Sequence, residues 1–199
     1  MKSIYVLSVF LCVAVTAPAQ DRVLPAPERT GGKPFLETVD ARRSERAYVK
    51  AEMPAQTIAN LLWVADGFNR SDRRTVPTAM NKQEMELYVV FDDGAYFYDA
   101  AHNSLQLIAK GNFKEALGQP NITGNAALTI VMVADVSKSS IEMARISTGY
   151  ISQNIYLFAA SEGLGTVARG SFKNAALAEA LQLNSHQTIT LVQPVGYLQ

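Results

Sequence analysis

The sequence predicts an α+β fold, with a mixed, mostly antiparallel sheet between helices and a long buried helix at its centre. Three observations predict it. Short apolar segments separated by turn residues fill 85–109, as an antiparallel meander requires. Helical and extended patterns alternate from about residue 110 onward, and the stretch Ile141–Gly163 carries helical periodicity over a length that suits a central helix.

The first residues stand apart from that fold. Met1-Lys2-Ser3 gives a positive start, Ile4 to Val15 an apolar run too short to span a bilayer, and Ala17-Pro18-Ala19 a small-x-small cleavage pattern. Residues 1–19 therefore read as a secretion signal cleaved after Ala19, and the mature protein as periplasmic or secreted with no stable membrane anchor. Cys12, the single cysteine, lies inside the signal behind Leu11, where lipidation would want a small residue. Cleavage leaves 180 residues with 17 Lys+Arg, 18 Asp+Glu and no cysteine. Without disulfides such a chain relies on an ordinary hydrophobic core, which one domain of this size can bury. A formal charge of −1 lacks the basic excess that nucleic acid or anionic lipid demands. Two distant histidines and no cysteine leave no zinc-type ligand spacing.

Residues 20–33, rich in Pro, Gly and charge, read as an extended leader that wraps over a neighbour or stays mobile. The domain proper runs 34–199. Pro34 opens a short helix with Leu36 and Val39 on one stripe, ending near Ala41. Pro54 opens a stronger one: Ile58, Leu61, Leu62 and Ala65 fall at i, i+3, i+4 and i+7, and Gly67 stops it. Trp63 lies off that stripe and reads as packing for a neighbour or a dimer partner. Between Gly67 and Lys82 periodicity is lost, and a polar loop this long inside a compact domain is either functional or simply solvated. Met85–Phe91, Ala95–Tyr98 and Ser104–Ala109 form the meander, with Asp92-Asp93-Gly94 as its first turn. A helical stretch near Phe113–Leu117 precedes Ala126–Ala134, a run rich in Ile, Val and Met that suits a strand buried on both faces. Ile141–Gly163 is apolar nearly all round and reads as buried. Gly149 inside it costs about 1 kcal/mol against Ala, and close helix packing is the reason for it. A short strand Leu164–Ala168, a helix Ala175–Leu183 and a strand Thr188–Tyr197 complete the order.

Several familiar chemistries are excluded. Gly163-Leu164-Gly165 with Gly170 follows a helix and precedes a strand, the reverse of a dinucleotide loop. No Gly-x-Ser-x-Gly elbow occurs, and acidic pairs such as Asp92-Asp93 lie in turns. His102 likewise falls in a turn. What stands out is Ala41-Arg42-Arg43-Ser44-Glu45-Arg46-Ala47-Tyr48. In an extended segment Arg42, Ser44 and Arg46 share one side, and two guanidinium forks flanking a hydroxyl suit a phosphate. A solvated basic turn is the alternative reading of the same residues.

Separated stretches together resemble one family. Arg42-Arg43-Ser44-Glu45-Arg46-Ala47-Tyr48 is similar to the N-terminal flavin motif of the nitroreductase superfamily, and Arg74–Gln83 to the loop that precedes its first long strand. Tyr96-Phe97-Tyr98-Asp99 with Leu105 resembles the extra hairpin of its SagB-type dehydrogenase branch. Gly149–Asn154 through Glu162–Thr166 resembles its central helix and exit, and Pro194-Val195-Gly196-Tyr197 its last strand. The resemblance spans about residues 34–199.

The resemblance implies a nitroreductase-like homodimer with flavin mononucleotide (FMN) at the subunit interface, the central helix lying in that interface. Such a protein is an oxidoreductase that reduces or dehydrogenates a small organic substrate using an unidentified electron donor. By position, Arg42, Arg43, Ser44 and Arg46 belong to the phosphate and pyrimidine side of the flavin. Pro77, Thr78, Ala79, Asn81 and Gln83 come from the second subunit, Gln119 reaches the ring, and the backbone at Gly170 and Ser171 faces its reactive nitrogen. Family members carry basic residues in a C-terminal arm, whereas this sequence stops at Gln199 after its last strand. The expectation is that phosphate binding rests on Arg42, Ser44 and Arg46, with Arg169 as a further cation. The alternative is a non-enzymatic binding or scaffold protein on the same dimeric fold, without flavin.

Overall fold

The computed structural model describes residues 19–199; the secretion signal read from the sequence lies outside the described residues except for Ala19. In chain order the elements are β1 (Arg22–Val23), α1 (Phe35–Ala41), β2 (Tyr48–Val49), α2 (Ala55–Asp66), β3 (Phe68–Arg70), β4 (Arg73–Arg74) and a 3-10 turn (Ala79–Asn81). They continue with β5 (Met85–Val90), β6 (Gly94–Asp99), β7 (Ser104–Lys110), α3 (Pro120–Thr123), β8 (Leu128–Asp135), α4 (Ile141–Glu162), β9 (Leu164–Thr166), α5 (Asn174–Ala180) and β10 (Gln187–Leu198).

Eight strands form one sheet in the order β1-β7-β6-β5-β8-β10-β2, with β9 also pairing β10, and every pairing is antiparallel. The central strand β8 is buried on both faces. Its Leu128, Ile130, Met132 and Ala134 join the core under α2 and α4, with Leu61, Leu62, Ile151 and Ile155. Its Val131 and Val133 face the other way, onto Leu117, Leu177 and Leu181. The period of two thus serves both layers.

α2 starts at Pro54 and stops at Gly67, whose N–H caps Trp63 O, as the sequence predicts. Elsewhere the structure differs. The leader lies against its own domain: β1 pairs with β7, Leu24 is buried, and the Arg22 guanidinium lies 4.6 and 4.5 Å from the Phe91 and Tyr96 ring centres. Farther along the leader, Arg29 covers Trp63 at 5.3 Å. Part of the long polar loop is the ribbon β3–β4. No helix forms at Phe113–Leu117, because Gly111 and Gly118 adopt φ +123° and +66° on either side and leave room only for turns; a short helix starts later, at Pro120.

The long helix is buried on one side only. Ala144, Ser147, Thr148, Ile151, Ser152, Ile155 and Ala159 face the sheet, while Met143, Ile146 and Tyr150 are exposed. Gly149 lies on the exposed side, and a Cβ there would meet nothing within 4 Å, so within one protomer close packing does not explain it.

Candidate functional site

α1 ends at Ala41 because Arg42 turns out of helical geometry at φ −62°, ψ 120°. The chain then runs extended into β2, where Tyr48 and Val49 pair with Leu198 and Tyr197 of β10. Glu45 N–H donates to Thr166 O at 2.9 Å and the Tyr48 hydroxyl donates to Glu45 O at 2.6 Å, so the segment is pinned against β9. That approach needs Gly165: a Cβ there would lie 2.7 Å from Leu198 Cδ2 and 3.0 Å from Glu45 Cβ.

Extended geometry separates the side chains as the sequence predicts. Arg43 pairs with Glu45. The Ser44 hydroxyl instead lies 2.9 Å from the hydroxyl of Tyr156 on α4, and the Arg42 guanidinium lies 5.3 Å from the centre of the same ring. Among the described residues Arg42 and Arg46 have no ion-pair partner, unlike Arg43 between them. Burial raises the Tyr48 hydroxyl pKa well above its ordinary value, reinforced by Tyr156 and opposed by the cations of Arg169 and Arg46. Positive charge therefore collects at this edge.

The turn at Gly118–Gln119 adjoins it. Arg169, only 6% exposed, donates from Nε to Gln119 Oε1 at 3.1 Å, from Nη1 to Leu117 O at 3.3 Å, and from Nη2 to Gly118 O at 3.2 Å and Ser171 O at 2.8 Å. Four of its five N–H groups are thus committed to the chain itself. Burial pulls its pKa below the ordinary value, but a guanidinium stays charged. Arg169, expected from the sequence as a further cation for the phosphate, also clamps 117–119 to 169–171 through these bonds. The amides of Gly170 and Ser171 donate to no backbone or side-chain acceptor among the described residues, and a Cβ on Gly170 would meet nothing within 4 Å. Tyr156 links the two groups: Ala168 N–H, next to Arg169, donates to its hydroxyl at 2.9 Å, and Ser44 Oγ lies 2.9 Å from the same oxygen.

The second predicted group lies elsewhere. Met80, Asn81 and Gln83 adopt φ of +53°, +55° and +48°. Hydrogen bonds hold this shape: Gln83 N to Thr78 Oγ1 at 2.9 Å, Gln83 Nε2 to Asp72 O at 3.0 Å, and Asn81 Nδ2 to the same oxygen at 3.0 Å. Pro77 is exposed and Ala79 partly so. At the root Arg74 donates to Gln83 Oε1 at 3.2 Å and Asp66 O at 2.8 Å, and its charge lies 3.7 Å from the Asp66 carboxylate. Burial pushes the Asp66 carboxyl up to about 7, with Arg74 opposing and Glu84 reinforcing the shift. Among the described residues no hydrogen bond or ion pair joins this group to the Arg42–Arg46 segment.

Sequence reasoning missed Tyr156 and the buried acids Asp66 and Glu84. Tyr156 carried no signal, since it reads as one more aromatic in an apolar helix. Glu84 and Asp66 had one, being charges immediately beside strongly apolar segments. No cluster of metal-ligating side chains exists among the described residues, and no helix there is long and apolar enough to cross a membrane.

The donors without an acceptor among the described residues, two guanidinium groups, an amide side chain and two backbone N–H groups, suit an anionic, heteroaromatic ligand. Residues 39–197 match the model of the nitroreductase family. A protein of Methanocaldococcus jannaschii, provisionally named a nitroreductase, is 25% identical over 173 residues, covering 78% of this chain and 86% of that one. The crystal structure of a Ralstonia eutropha JMP134 protein with the same provisional name superposes with a TM-score of 0.86 at 31% identity, covering 94% and 93% of the two chains. An FMN-dependent nitroreductase from Clostridium difficile R20291 shares the fold, with a TM-score of 0.60 at 21% identity over 82% of this chain and 87% of that one.

Proposed function

Because the chain belongs to the nitroreductase family and is an oxidoreductase of that kind, we propose that it is an exported FMN-dependent enzyme acting as a homodimer on a small organic substrate. One observation supports the cofactor assignment: the guanidinium groups of Arg42 and Arg46, the Gln119 side-chain NH2 and the N–H groups of Gly170 and Ser171 are donors without an acceptor among the described residues. Bound FMN supplies the redox chemistry, taking up a hydride or an electron pair and passing it on. The chain's own residues bind and orient. Arg42 and Arg46 neutralise the phosphate, Ser44 donates to it, the Gln119 amide donates toward the ring, and the Gly170 and Ser171 N–H groups stabilise charge on its far edge.

The dimer is supported by the exposed apolar side chains of α1 and α4, namely Phe35, Leu36 and Val39 with Met143, Ile146 and Tyr150. Gly149, open to solvent among them, leaves space for a second helix. In that arrangement Pro77, Thr78, Ala79, Asn81 and Gln83 of one subunit reach the arginine edge of the other. The hairpin β6–β7 supports the SagB-type branch, and residues 1–19 support export. The electron donor is then a reductant available outside the cytoplasm.

The decisive experiment is an absorbance spectrum of the purified protein before and after adding FMN, followed by a titration. Bound flavin that a chemical reductant bleaches supports the reading. Absence of binding in the micromolar range overturns it.

A further inference from the structure

We infer that Tyr156 is a positioning residue of the anion site, aiming the Ser44 hydroxyl proton outward and seating the Arg42 guanidinium. This rests on the flavin reading above and adds a residue to it. Tyr156 projects from α4 into the space between the arginine segment and the exit of β9, and touches both. Its hydroxyl accepts from Ala168 N–H at 2.9 Å and lies 2.9 Å from Ser44 Oγ.

The direction of the second bond follows from counting hydrogens. A phenol has one proton and the backbone amide can only donate, so the Ala168 contact uses a lone pair of the tyrosine oxygen. Ser44 Oγ is the one protein acceptor within hydrogen-bond reach of the Tyr156 hydroxyl among the described residues, and the inference assigns its proton there. Ser44, now an acceptor on that side, keeps its own proton free. The relay runs from Ala168 N–H through Tyr156 O–H to Ser44 O–H, each step polarising the next, and it ends on an exposed hydroxyl beside two cations without ion-pair partners. The same ring lies 5.3 Å from the Arg42 guanidinium carbon, a distance at which the aromatic face attracts a cation. One side chain from the central helix therefore fixes two of the three groups assigned to the phosphate.

Separating this role from general packing requires a ligand that differs only in the phosphate. FMN and riboflavin share the ring and the ribityl chain, so the purified full chain and its variants are titrated with both. Tyr156→Phe keeps the ring under Arg42 and removes the hydroxyl; its FMN dissociation constant should rise about tenfold, the loss of one charge-assisted hydrogen bond, with that for riboflavin unchanged. Tyr156→Leu removes the platform as well and should weaken FMN further. Ser44→Ala combined with Tyr156→Phe should cost no more than Ser44→Ala alone, since the two act through one proton. Equal weakening for both ligands, additive losses, or unchanged FMN affinity in Tyr156→Phe would each overturn the inference while leaving the flavin reading intact. Failure of the unsubstituted protein to bind either ligand would overturn both.

Discussion

Arg169 Nε donates to Gln119 Oε1 at 3.1 Å, and because a guanidinium has no acceptor, this bond fixes which end of the Gln119 amide faces out. The outward end is the NH2 donor. Gln119 itself sits at φ +49°, a backbone cost that persists only where neighbours enforce it. Replacing Gln119 by Glu tests the arrangement, since the carboxylate satisfies Arg169 and removes the outward donor. Denaturant stability of Gln119→Glu should be equal or higher, with FMN affinity reduced about tenfold. Arg169→Ala should instead unfold more easily, by about 2–4 kcal/mol, because the carbonyls of Leu117, Gly118 and Ser171 lose their donor. Urea titrations of the three proteins, with and without FMN, distinguish these outcomes.

Within the arginine segment the side chains are unequal. Arg46→Ala should abolish FMN binding in the micromolar range, since it removes a cation facing the site. Arg43→Ala should bind almost normally, because Arg43 is exposed and engaged with Glu45. Fluorescence titration of both variants reads the difference, and near-normal binding by Arg46→Ala places the phosphate elsewhere.

Stability should fall as pH rises through the window set by Asp66. Its carboxyl titrates at about 7 in the folded protein against an ordinary value of 3.8, so below that ordinary value it is protonated in both states. Between the two values the unfolded chain releases a proton that the folded chain retains, and each pH unit there costs about 1.4 kcal/mol. Above pH 7 both states are ionised and the penalty levels off, at a total on the order of 4 kcal/mol. The charged neighbours Arg74 and Glu84 shape the shift but do not reverse it. The gap in urea midpoint between Asp66→Asn and the unsubstituted protein should widen from pH 5 to pH 8 in favour of the variant; a constant gap refutes the assignment.

Ile146→Asp should yield monomers. Ile146 is 49% exposed on α4 and lies one helical turn from Gly149 and Tyr150, so a second copy packing there would bury the new carboxylate. Sedimentation at micromolar concentration reads the mass. FMN affinity should fall with it, because the groups at 77–83 would no longer reach a neighbouring arginine edge.

The fold was legible where periodicity was strong. The stripe Ile58–Ala65 and its Pro54 and Gly67 boundaries returned as α2, and the apolar run Ala126–Ala134 as β8, the strand between two cores. Legibility failed where backbone conformation ruled: the positive φ of Gly111 and Gly118 leaves no mark on the apolar pattern of Phe113–Leu117. At the site, the alternation of Arg42–Arg46 was readable because an extended chain has only two sides. The pairing of Ser44 with Tyr156 was not, since 112 positions separate them and only packing of the central helix brings them together. The clamp of Arg169 was hidden for the same reason.

The pairing of Tyr48 and Val49 with Leu198 and Tyr197 bears on when the site comes into being. The entropic cost of closing the loop between them grows only slowly with its length, but the pairing cannot begin before β10 exists. A chain still emerging during synthesis has α1 and the arginines long before it has β10. Until that strand arrives, the arginine segment has no sheet edge to lie against and its charges stay scattered in water. The sheet edge behind the arginine segment is therefore complete only once β10 is in place.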